Sequence, residues 1–138
     1  MPRVHRRRGL LLLDVFATAD SAFAGALVTN LLNATARGEL IDGLAAQAAL
    51  SMVQAIAPRD EVEAMLAVQM AAIHNATMDS VRRLNNAEAQ PIRDAEATIL
   101  TKCTRTFAAQ VETLKRHRST GEQAIKVTHQ HVHVADGG

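Results

Sequence analysis

The chain has 138 residues, 48% of them hydrophobic, with a formal net charge of +1, one cysteine and neither tryptophan nor tyrosine. That is enough for one domain with a modest core. A near-neutral balance excludes the global basic field that marks many nucleic-acid binders, and a single thiol excludes an intrachain disulfide framework.

Residues 1–19 read as a basic, poorly ordered segment. Arg3, Arg6, Arg7 and Arg8 precede the apolar run Leu10 to Leu13. That order imitates a secretory or twin-arginine export signal. Asp14 interrupts the run early, so the expectation is a tail or docking segment on a cytoplasmic protein. No stretch approaches the roughly 20 apolar residues of a membrane span.

The helical domain is expected over residues 20–118. A first helix runs from Asp20 or Ser21 to Arg37, with Phe23, Leu27, Leu31 and Ala34 on one face and Gly38 as its stop. A second covers Leu44 to Ile56, aligning Leu44, Ala48, Met52 and Ile56. A helix-turn-helix reading of this pair fails on chemistry. Its recognition helix contains no Arg, Lys or Asn, and of the residues that read bases it offers only Gln47 and Gln54.

Two long helices follow, each expected to open on a proline. From Pro58 to about Asn86 the stripe is Val62, Leu66, Met70, Ile73, Thr77, Val81 and Leu84. From Pro91 to Arg118 it is Ile92, Ala95, Ile99, Cys103, Phe107, Val111 and Leu114. The short link makes them antiparallel neighbours. Basic residues before Ser119-Thr120-Gly121 signal a stop. The fold class is therefore all-α: a long antiparallel helical hairpin with shorter N-terminal helices and a C-terminal β-prone tail, residues 119–138.

In that tail Ile125 to Val134 is rich in β-branched residues and reads as a strand. A lone strand must add to a neighbouring subunit or a partner. His129, His131 and His133 would share one face of it, a candidate metal set. The outer two would stand about 13 Å apart, so two of them plus ligands from elsewhere, such as His117 or Asp136, would be needed. Cys103 on the apolar stripe reads as a small buried hydrophobe, and His74 as a polar residue at the stripe's edge. No catalytic set, phosphate loop or cofactor motif is recognisable.

Three runs resemble an uncharacterised family of small bacterial proteins over roughly residues 50–138. They are Ala57-Pro58-Arg59-Asp60-Glu61-Val62-Glu63-Ala64-Met65-Leu66, Thr106-Phe107-Ala108-Ala109-Gln110-Val111-Glu112, and Gly121-Glu122-Gln123 leading to Gln130-His131-Val132-His133-Val134. The resemblance implies no activity.

The reading that follows is a non-enzymatic, self-associating coiled-coil-like protein whose C-terminal strand contacts a partner or another subunit. One alternative is a nucleic-acid-associated accessory factor of a mobile element, by analogy of layout with small terminase subunits. It would use Arg82, Arg83 and Arg93 at the hairpin tip or Lys115, Arg116 and Arg118 at its base. The other is metal binding through the histidine strand.

Overall fold

The computed structural model describes the backbone of residues 11–130 and the side chains of residues 11–120. Five helices follow in order: α1 (Leu12–Val15), α2 (Ser21–Thr35), α3 (Gly43–Ile56), α4 (Glu61–Asn86) and α5 (Gln90–Gln130). No strand is present among the described residues, and the fold is all-α. None of these helices is long and apolar enough to cross a membrane.

Aspartates open α2, α3 and α4. Asp20 accepts from the N–H groups of Ala22 and Phe23, Asp42 from Ala45, and Asp60 from Glu63. Each satisfies donors that have no partner inside the helix. Here the structure corrects the role of Pro58. α3 ends on Ala57 in the left-handed region at φ 53, whose N–H bonds back to Val53 and Gln54. Pro58 then bars continuation, and α4 starts only after the Asp60 cap.

α4 is the central helix. Its Ala64, Ala67, Val68 and Ala71 face α2 and α3. They meet Leu27, Leu31, Ala49 and Val53, with Val15 and Phe16 closing the same core from the N-terminal side. Small side chains on α3 and α4 let their backbones come close, so this core depends more on alanine than on large residues. The α3 face expected from Leu44, Ala48, Met52 and Ile56 is rotated. Ala46, Ala49 and Val53 are buried, and Leu44 is 81% exposed. On α2, Thr35 is buried in place of Ala34, returning its hydroxyl to the Leu31 carbonyl at 2.8 Å.

The part of the 1–19 segment that is described is packed. Phe16 has no exposed surface. Residues 1–10 lie outside the described residues.

α5 runs antiparallel to α4, at roughly 60 Å for its length at ~1.5 Å per residue. Its less exposed positions are Glu96, Leu100, Cys103, Phe107, Gln110, Leu114 and Arg118, a narrow seam against α4. Within the expected stripe, Cys103, Phe107 and Leu114 belong to it. Ile92, Ile99 and Val111 are 52%, 41% and 40% exposed.

The stop expected at Gly121 is also corrected, since α5 continues to Gln130. One glycine inside a helix costs only about 1 kcal/mol relative to alanine, and the Glu122-Gln123-Ala124 that follows is made of good helix formers. Residues 125–130 of the expected strand are therefore helical. The rest of that strand lies outside the described residues.

Candidate functional site

Polar side chains pin the α4–α5 hairpin at both ends. Near the tip, buried Ser80 donates to Glu96, whose carbonyl and carboxylate oxygens lie 2.9 and 2.8 Å from its hydroxyl. Glu96 also accepts from Arg83 Nε at 2.9 Å. Between the ends, His74 and Phe107 meet with ring centroids 6.4 Å apart. They border an apolar notch of about 250 Å³ shared with Met52, Ile56 and Met70.

The base of the hairpin holds the denser cluster. Glu63 has a side chain only 3% exposed, and its Oε1 accepts from Arg118 Nε at 2.9 Å, with Nη2 of the same guanidinium 2.8 Å away in the ion pair. The same guanidinium donates to the carbonyls of Ile56 and Ala57 at 2.9 and 3.1 Å. Those carbonyls belong to the end of α3, where helical partners run out. Arg118 thus ties α5 to α4 through charge and to α3 as a cap supplied from 61 residues away. One residue earlier, His117 Nε2 stands 3.0 Å from Asp60 Oδ2 and 3.8 Å from Glu63 Oε2. Asp60, Glu63 and His117 offer ligand atoms all within 4.8 Å of one another.

The Glu63 N–H bond, then the His117 contact, hold the Asp60 carboxyl below its ordinary range. The sign is that of a depressed carboxylate. Its stabilising contribution is full above the unfolded-state value of about 3.9 and is lost as pH falls through the lower folded-state value. Asp60→Asn keeps an oxygen to cap α4 but cannot titrate. Denaturant melts at stepwise acid pH should show this variant losing less stability than the parent below about pH 4. Parallel acid limbs in the two proteins would contradict the assignment.

The residues singled out for nucleic-acid contact stand in two groups, one at each end of the hairpin. Arg82 pairs with Asp79 at 3.5 Å, Arg83 with Glu96, and Arg93 donates to the Ala87 carbonyl at 2.9 Å, all near the tip. At the base Arg118 turns inward, and Lys115 and Arg116 stay exposed. Of the histidine set, His129 falls on α5, while His131 and His133 lie outside the described residues. Cys103 is half-buried in the seam.

Sequence reading missed the Asp60–Glu63–His117–Arg118 junction. Its one usable signal was Glu63, an acid whose position falls on the packed side of α4. No family model matches the chain, and neither a curated protein nor a solved structure matches it.

Proposed function

We propose that the protein is a non-enzymatic, self-associating helical protein, with a second copy packing along the side of the hairpin that α2 and α3 leave bare. The observation that carries this is the narrowness of the α5 seam. Among the described residues α5 packs almost wholly on α4, reaching α3 only through Arg118 and the Phe107 notch, and Ile92 and Ile99 beside the seam stay 52% and 41% exposed. On α4, Val62 and Met65 lie across the helix from the alanine face and are 55% and 43% exposed. Rows of large apolar residues along a long helix are favourably buried by a partner helix. The chain past Gly121, helical to Gln130, extends the same helix as a contact surface for a partner or neighbouring subunit.

Association with nucleic acid has less support, because most of the arginines it would use are held by acids or carbonyls within the fold.

Light scattering of the full chain tests the reading. A mass above the 14.8 kDa of one chain is expected. Ile92→Asp with Ile99→Asp should return it to the monomer without loss of helical circular dichroism, since both sites are exposed in the single chain. A parent protein that is monomeric at high concentration would end the proposal.

A further inference from the structure

The base of the hairpin is more elaborate than an ion pair requires. Each of its two carboxylates has one oxygen fixed by the scaffold and the other turned toward the same imidazole nitrogen. For Asp60, Oδ1 is taken by the Glu63 N–H at 2.8 Å, and Oδ2 is 3.0 Å from His117 Nε2. For Glu63, Oε1 is taken by Arg118, and Oε2 is 3.8 Å from that nitrogen, beyond hydrogen-bonding reach. That second oxygen belongs to a side chain only 3% exposed.

A metal ion would engage all three groups at once, since their ligand atoms lie within 4.8 Å of one another. Oxygen and nitrogen ligands sit about 2.0–2.2 Å from zinc, which places neighbouring ligands of a tetrahedral site about 3.4 Å apart. The two separations from His117, 3.0 and 3.8 Å, bracket that spacing, and with all three ligand atoms within 4.8 Å of one another, side-chain rotation closes the triangle. Two carboxylates stand against the one Arg118 guanidinium, an excess of negative charge that favours a cation. One nitrogen and two oxygens suit a divalent first-row transition ion. Arg118 and the Glu63 N–H would then be the outer contacts that aim the ligands.

We infer that Asp60, Glu63 and His117 form a binding site for a divalent transition-metal ion of the zinc type, with water completing its coordination. The ion clips α5 to the α3–α4 junction. This site is independent of self-association and distinct from the C-terminal histidines.

The test uses the full chain carrying His129→Asn, His131→Asn and His133→Asn, titrated with zinc chloride by calorimetry. One zinc per chain is expected, together with a rise in melting temperature on adding zinc. Loss of an outer contact alone typically weakens a metal site 10–100-fold, so loss of a ligand through His117→Ala should weaken it by about 100-fold or more. Should His117→Ala fold poorly, Asp60→Asn carries the same test, because it retains the helix cap. No heat up to about 1 mM zinc, or unchanged affinity in the folded ligand variant, would overturn the assignment.

Discussion

Replacing Arg118 with methionine is expected to cost the folded state about 3 kcal/mol or more. The side chain of Arg118 is 25% exposed and that of Glu63 3%, so removing the cation strands a carboxylate that water cannot reach well. It also leaves the Ile56 and Ala57 carbonyls at the end of α3 without their donor. Breaking one side of a buried pair is far more damaging than removing both, since the residual unpaired charge carries most of the loss. Glu63→Met combined with Arg118→Met should therefore recover much of the stability lost by Arg118→Met alone. Urea denaturation of the two single variants and the double variant decides it. Strictly additive losses would mean that the two residues are not coupled.

Phe16→Ala should be about as severe, at about 3–5 kcal/mol, which is a large share of the stability of a domain this size. Phe16 is fully buried and is the largest such side chain among the described residues. It sits in the core shared by α1, α2, α3 and α4, so its removal opens a cavity under every helix of the N-terminal half. A thermal melt of Phe16→Ala should show a strongly lowered midpoint, and Leu12→Ala, at a position 43% exposed, should serve as a near-neutral control. An unchanged midpoint for Phe16→Ala would mean that the segment before α2 packs only loosely.

Local signals in the chain located most of the helices. Aspartates at positions 20, 42 and 60 each precede a helix and cap it as their chemistry suggests. The antiparallel hairpin was legible from its apolar period and short link. Orientation was harder to read. On α3 the large residues Leu44, Met52 and Ile56 suggested one face, yet alanines occupy the buried one. Alanine contributes little to a hydrophobic pattern, although it is well suited to a close helix–helix contact. The α4 core positions Ala64, Ala67 and Ala71 were passed over for the same reason.

The site was less legible than the fold. His117 and Arg118 looked like cations placed to complement the end of a helix. The structure instead carries α5 on to Gln130, and those two residues become side-chain partners of Asp60 and Glu63. Sequence spacing cannot reveal this pairing. Asp60 and His117 are 57 residues apart, and Glu63 and Arg118 are 55 apart. Only the register of the hairpin brings them level.

By itself, then, the amino-acid order determined that this is a helical protein and that its longest pair folds back on itself. Those properties depend on interactions within a few residues: caps, proline geometry and the helical period. Tertiary packing decided which faces are buried, that Phe16 belongs to the core, and that Glu63 is buried against Arg118. It also decided that α5 keeps an apolar flank uncovered. These outcomes depend on how distant segments share space and on which charges meet there, and no local pattern encodes that.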